Sequence, residues 1–419
     1  MRVRRSGGPF FPTAPLVAGL LFASPSGGWT WFNDPRAISY GGYTYVGYIE
    51  GGSGDVAVRA VNESTLAVSA EVVLHAAFEV DDHDNPGLWV RPSDHRLVAF
   101  YSRHVAANFY MRVSSNSLDS DPTLSGGFAS EVDMDSLLGG SSYTYANPLS
   151  VTDDDGGTDR AYLFYRRHVA GVAHWFYSTS LDEWSTAEGT ADLHNMTYSR
   201  VVSDGFDRID VVVATHPNGG DDPDTSKLYH VYRQSAAWHK SDGTSAGTLP
   251  LDKTDMTTVY DSGGDPVWIW DIAYDEDGHP VIAFTVFPSE TDHRYWYAHW
   301  DGSSWETNEI VAGGTHIPTE AVGANPVEVY YSGGLALDHS DPSIVYASVG
   351  IGSNEWQLRR YVTADHGATF GSPTVLAGTG KNVRPTAVRD HSSDIAVVWM
   401  VGDYDSYIDY ATGTGYATD

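Results

Sequence analysis

The stretch NPGLWVRPSDHRLVAFYSRH, residues 85–104, decides the fold. It opens on Asn85-Pro86, runs apolar, turns through Pro92-Ser93-Asp94, and returns as a run of aromatic and β-branched residues that ends at His104. Proline is tolerated at the start of a strand and not in its ladder, and Pro-Ser-Asp marks a turn, so the stretch reads as an antiparallel hairpin. The same cadence recurs in DPRAISYGGYTYVGYIE from Asp34, NPLSVTDDDGGTDRAYLFYRRH from Asn147 and RVVSDGFDRIDVVVATHP from Arg200. It returns in WDIAYDEDGHPVIAFTVFP from Trp270, GGLALDHSDPSIVYASVG from Gly333 and RPTAVRDHSSDIAVVWMVG from Arg384. Each unit is followed by further strand-like segments such as NFYMRVSS, HWFYSTS, LYHVYRQ and RYWYAHW.

These seven units begin about 50 to 70 residues apart, which is the chain needed for a four-stranded sheet of short strands. No helical periodicity appears after Trp29. The expectation is an all-β chain: a seven-bladed β-propeller over residues 29–419, preceded by a short N-terminal arm. Two β-sandwiches are the alternative, but no linker separates them. VTADHGATF (362–370) adds weight, because it matches the Asp-box turn common in sialidase-type propellers; STSLDEWS (178–185) is a degraded version. An Asp box is structural and carries no sialidase chemistry.

Charge is the strongest compositional fact. Asp and Glu number 55 against 24 Lys and Arg, for a net charge of −31, and only Lys227, Lys240, Lys253 and Lys381 are lysines. Such a surface suits high salt, where screening shortens self-repulsion, so a halophilic source is expected. It offers no basic face to nucleic acid. No apolar run is long enough for a membrane span. The absence of Cys removes disulfides and thiolate chemistry.

Residues 1–28 are the exception to the acidity. They carry Arg2, Arg4 and Arg5, no acid, and a short apolar run that resembles a signal peptide. Pro12 and Pro15 interrupt that run, and no small-x-small cleavage site follows Leu21. The reading is an uncleaved arm that docks on its own propeller or on another subunit, giving a homo-oligomer or a larger assembly.

The repeats also place the histidines. If the innermost strands begin near Pro35, Pro86, Pro148 and Pro385, the residues before them share one rim. His104, His168 and His216 end the second strand of their units, and neighbouring antiparallel strands bring one start beside the next end. His83, His104, Tyr145, Arg166, His168 and His216 therefore converge on one mouth.

GGWTWFNDPRAI, DDHDNPGLWV, LVAFYSRH, YTYANP, LYHVYR, YSGGLALDHSDPSIVYAS and KNVRPTAV, taken in order, resemble the BNR-repeat family. That family includes seven-bladed ulvan lyases, which cleave a sulfated, uronate-containing polysaccharide by β-elimination. The resemblance runs from about Trp29 to Tyr410. It implies two catalytic histidines, His83 and His104, with Tyr145 and Arg166; Tyr143 competes with Tyr145, and Arg167 with Arg166. Arg36, Tyr143, Arg103, Arg167 and His168 become candidates for substrate binding.

The chemistry asks for such groups. The C5 proton of a uronate is weakly acidic, so a cation must neutralise the adjacent carboxylate as charge develops, while a base takes the proton and an acid protonates the leaving oxygen. Arg166 with a histidine suits the first role. His83 with Tyr145 suits the others, the flanking Asp81, Asp82 and Asp84 orienting His83 and raising its pKa.

No cofactor is required for this reaction. The resemblance allows a structural zinc, which without Cys would rest on His216, His230 and His339; VTDDDGGTD and NGGDDPD read as calcium-compatible loops. The expected partner is an acidic polysaccharide or surface glycan, met at the cell exterior or on a virion surface. A glycan-binding propeller without catalysis is the competing class.

Overall fold

Gly87–Val90 and Leu97–Ser102 pair antiparallel, with Gly87 opposite Phe100 and Val90 opposite Leu97, as the opening hairpin requires. The same arrangement repeats seven times. The computed structural model describes residues 17–23, 26–154, 156–181, 184, 189–219, 222–318, 327–352, 354–391 and 395–418. Within them seven four- or five-stranded antiparallel sheets form the blades of one propeller. Their innermost strands are Ala37–Tyr40, Gly87–Val90, Tyr143–Asp154, Tyr198–Ser203, Val267–Tyr274, Leu335–Leu337 and Asn382–Ala387. Among the described residues helix is confined to one turn, Asp135–Leu138, and two 3-10 turns. None is long and apolar enough to cross a membrane.

The ring closes by pairing the two ends of the chain. Ala18–Phe22 is the outermost strand of the seventh blade, lying against Asp409–Ala417 with Ala18 opposite Ala417. Ser26–Gly28 pairs with Tyr43–Glu50 in the first blade. Residues assigned by sequence to the arm therefore belong to propeller sheets as far back as Ala18. Residues 1–16 lie outside the described residues.

Two of the four prolines expected to start inner strands sit inside them. Pro148 lies within Tyr143–Asp154, opposite Leu163, and Pro385 within Asn382–Ala387. The innermost strand of a blade has one edge free of ladder bonds, so a missing N–H is tolerated there. Both strands also bulge just before the proline, between Thr144 and Asn147 and between Val383 and Thr386. Tyr145 (φ 65°) and Arg384 (φ 51°) occupy these bulges in left-handed conformation, a costly backbone for residues with a Cβ.

A plug crosses the axis at this end. Trp31 stacks on Trp270 with centroids 4.2 Å apart, meets Trp268 edge-on at 4.8 Å, and carries the Arg384 guanidinium 4.8 Å above its ring. Its indole N–H donates to the Ile269 carbonyl (3.0 Å), and Trp29 donates to the Arg384 carbonyl (3.0 Å). Trp29, Trp31 and Phe32 are almost wholly buried. Truncating a buried Trp typically costs about 3–5 kcal/mol, so the plug is a main fastening of the ring.

Below it the channel is filled by charge. Arg200 donates to Asp271 (2.9 Å) and approaches Asp34 (3.4 Å), and Arg389 bonds both Asp34 and His339. Arg36 lies 3.7 Å from Asp34. Five blades contribute to this network, each tied to the next.

Candidate active site

Asp82–Asp84 is a 3-10 turn between the first and second blades, capped by Asp81, whose side chain accepts from the His83 backbone N–H (2.9 Å). It is pinned from the plug: Thr30 N–H donates to the Asp82 carbonyl (2.8 Å) and Asn33 to the His83 carbonyl (2.8 Å). His104 lies two residues beyond the strand Leu97–Ser102. Turn and strand end meet so that the two imidazoles stack face to face, centroids 3.9 Å apart and planes 5° from parallel.

One carboxylate serves both rings. Asp81 Oδ1 bonds His83 Nδ1 at 2.6 Å, and Asp81 Oδ2 bonds His104 Nδ1 at 3.2 Å. With both Nδ1 atoms directed at one group and the rings parallel, both Nε2 atoms project to the opposite side. Two stacked imidazolium ions would repel, so the pair divides its protonation. Burial works against a charge on His83, but Asp81 and Asp82 outweigh it and push its pKa up to about 9. Burial, and then the charge on His83, push His104 down to about 4. At neutral pH His83 is the cation and His104 the neutral imidazole.

The three neighbouring aspartates divide two against one. Burial opposes ionisation of Asp81, yet the two histidines hold its pKa below the usual range. Asp82 is likewise held low against burial by Arg384, which it bonds together with the Tyr404 hydroxyl (2.7 Å). Burial, then the charges of Asp81 and Glu79, push the Asp84 carboxyl well above the usual carboxylate range. Asp81 and Asp82 are the carboxylates that raise His83.

Arg166 and Tyr145 complete the cluster. The Arg166 guanidinium lies 4.4 Å from the centroid of the Tyr145 ring and 5.5 Å from that of Tyr198, and Tyr145 lies 5.7 Å from His83. Thr144 pairs opposite Arg166, and the bulge that follows turns Tyr145 towards its guanidinium. Burial pushes the Tyr145 phenol well up, so it remains protonated. Exposure differs sharply within the group. The His104 side chain is 29 % exposed and that of His83 5 %, whereas Tyr145 is 1 % and Arg166 3 % exposed. The mouth is thus a surface imidazole over a deeper layer. Tyr145 is held down by Phe32 (5.3 Å), Trp175 (6.0 Å) and Tyr198 (6.1 Å).

Strand alternation separates Arg166 from Arg167, and the bulge after Thr144 separates Tyr143 from Tyr145. Tyr143 packs edge-on against Phe109 and Tyr165, and Arg167 lies 3.8 Å over Phe176 while donating to the Gly139 carbonyl, so both face away from Tyr145 and Arg166. Arg36 is buried in the channel network and does not reach this mouth. Arg103 lies 4.9 Å over Phe78, and His168 follows Arg166 by two positions along the same strand. His216 does reach the mouth, 5.7 Å from Tyr198 and 4.9 Å from Trp268.

The zinc assignment does not hold together. His230 is buried between Asp210 (2.8 Å) and Ser241 (2.9 Å), and His339 bonds Asp271 and Arg389 in the channel. His216 and His230 belong to the fourth blade and His339 to the sixth, and among the described residues the three share no ligand set. In the two loops read as calcium-compatible, Asp154 is held by Arg160 and Arg233, and Asp222 and Asp224 by Lys253 and Lys227. Asp155, Asp221 and the loop glycine Gly220 lie outside the described residues. Asp81, His83 and His104 do bring ligand atoms within reach of one another. Lone pairs lie in the ring planes, however, and two planes stacked 5° from parallel direct them alongside each other. They do not converge on a metal ~2.0–2.1 Å from each nitrogen.

Sequence reading missed Tyr407, which stands edge-on to both imidazoles at 5.4 and 6.0 Å, and Tyr198, whose ring lies 6.1 Å from that of Tyr145 and 5.5 Å from the Arg166 guanidinium. Tyr198 opens the fourth blade and Tyr407 lies in the seventh. Two cavities of about 200 and 220 Å³ open at the other end of the channel, beside Ser203 and Arg389. There Arg389 is already neutralised by Asp34, so the divided histidine pair is the better-built chemical site.

The family model of BNR repeat-containing members matches residues 43–312. No curated protein sequence matches the chain. Among solved structures, a PL25 ulvan lyase superposes with a TM-score of 0.70 at 15 % identity, covering 94 % of both chains. A structure of a PL25 ulvan lyase bound to -[GlcA(1-4)Rha3S]- gives the same figures. The polysaccharide lyase Uly1 matches with a TM-score of 0.60 at 13 % identity, over 98 % of this chain and all of that one. At these identities the likeness is one of fold.

Proposed function

The chain belongs to the BNR repeat-containing family, and from that premise we propose that it is a polysaccharide lyase, cleaving an acidic, uronate-containing glycan by β-elimination. The observation that carries the reading is the divided histidine pair: one cationic and one neutral imidazole, stacked on a shared carboxylate beside a protonated tyrosine and an arginine. The solved structure bound to -[GlcA(1-4)Rha3S]- supports the substrate class, since its ligand contains a uronate.

Roles follow from protonation state, and they differ from the sequence expectation in one respect. His83, already charged, is a poor base at neutral pH. His104 is neutral, keeps its Nε2 lone pair free because Nδ1 is bound to Asp81, and is the exposed member. His104 takes the C5 proton. His83 and Arg166 stabilise the charge developing on the adjacent carboxylate. As the C4–O bond breaks and the C4=C5 bond forms, Tyr145 gives its proton to the leaving oxygen. The depth of Tyr145 and Arg166 favours a second reading, in which the mouth binds a glycan without cleaving it.

The test is to incubate the protein with acidic polysaccharides in high salt and follow the ultraviolet absorbance of the unsaturated uronate. Product that disappears with His104→Ala supports the lyase. Tight glycan binding with no product over long incubation leaves the binding reading.

A further inference from the structure

On the far side of blade 5, at the end of the inner strand away from the histidine pair, the turn Asp275–His279 joins Val267–Tyr274 to Pro280–Ser289. Asp275 Oδ1 accepts the backbone N–H of Asp277 (2.9 Å) and of His279 (2.8 Å), which fixes the carboxylate. Its other oxygen, Oδ2, is 2.8 Å from His299 Nε2 and 3.8 Å from His279 Nδ1. His299 is a buried residue of the third strand, Asp292–Trp300, paired opposite Val281, whereas the His279 side chain is 34 % exposed.

We propose that Asp275, His279 and His299 form a binding site for a divalent transition-metal ion of the zinc type. All three ligand atoms lie within 4.8 Å of one another. A tetrahedral ion with bonds of ~2.0–2.1 Å separates its ligands by ~3.3 Å, a value that the observed 2.8 and 3.8 Å straddle. The two imidazole planes are inclined at 63°, so their lone pairs can meet at one point, unlike those of the stacked pair His83 and His104. Two imidazoles and one carboxylate are a borderline donor set that suits zinc better than calcium or magnesium. The exposed side at His279 leaves the fourth position to water. His366, from the Asp-box turn of blade 6, stacks on His299 at 4.7 Å and walls the site from the neighbouring blade. A bound ion would tie the first turn of blade 5 to its third strand.

The competing explanation is that Asp275 and His299 merely hydrogen-bond. His279→Ala separates the two, because it leaves that bond intact and removes a side chain that is 34 % exposed. Metal-stripped full-length protein is titrated with zinc chloride by calorimetry, and its thermal unfolding is followed with and without zinc. The expected result is one zinc per chain, a higher Tm with zinc, and binding at least ~10²-fold weaker in His279→Ala. Cobalt in place of zinc should give the intense visible bands of four-coordination in wild type and lose them in the variant. No stoichiometric uptake by wild type, or affinity in His279→Ala within threefold of wild type, overturns the proposal.

Discussion

His83 and His104 lie 3.9 Å apart, face to face, on the two oxygens of Asp81. Ordinary histidines titrate near pH ~6.5, but this arrangement drives the pair apart to about 9 and about 4. A base form of His104 then exists above its pKa and a cationic His83 below its own. The plot of kcat/KM against pH should be a bell with limbs near 4 and 9. A single limb near pH ~6.5 would show that the pair does not divide its protons in this way.

The same shifts set a stability profile. His83 has a raised folded pKa, so its contribution is fully present below pH ~6.5 and is lost as pH rises through 9. His104 has a depressed one, so its contribution is present above pH ~6.5 and is lost as pH falls towards 4. Asp81→Asn removes the common anchor. Denaturant midpoints of this variant should fall, and its alkaline limb should move towards neutrality as His83 loses its counter-charge.

Tyr145→Phe should reduce the release of unsaturated product by ~10²–10⁴-fold with little loss of glycan affinity, because proton transfer acts on the rate. Arg166→Ala should weaken both. Arg166→Lys should not restore either fully, since an ammonium cannot reproduce the planar stack on Tyr145 and Tyr198. Steady-state kinetics beside direct binding measurements separate these outcomes.

Arg384 and Asp82 form a buried ion pair beneath the site, with Tyr404 bonded to both. Arg384→Ala leaves the Asp82 carboxylate unpaired, and breaking such a pair typically costs about 3–5 kcal/mol. Chemical denaturation should register that loss even where activity is not assayed.

Truncation tests the amino-terminal segment. A chain beginning at Val17 retains every described pairing and should keep its Tm. A chain beginning at Trp29 lacks Ala18–Phe22 and Ser26–Gly28, and exposes the edges of the seventh and first blades. It should melt lower and aggregate. Light scattering on the first of these chains reads out the assembly role proposed for the basic arm: an unchanged mass removes it.

Repetition made the architecture legible in the sequence alone. Hairpins such as Asn85–His104 specify strands locally through alternation and turn chemistry, and seven of them in series admit few closed arrangements. The convergence of His83, His104, Tyr145 and Arg166 was also within reach, because antiparallel neighbours put the start of one strand beside the end of the next. Local pattern could not say which of Tyr143 and Tyr145, or of Arg166 and Arg167, faces inward, since a single bulged residue reverses the alternation. Nor could it show that Ala18–Phe22 closes the seventh blade, a pairing across nearly the whole chain. Protonation was the most distant property of all. His83 and His104 differ in their titration because of burial, one shared carboxylate and each other, and those exist only once the blades have closed around the plug.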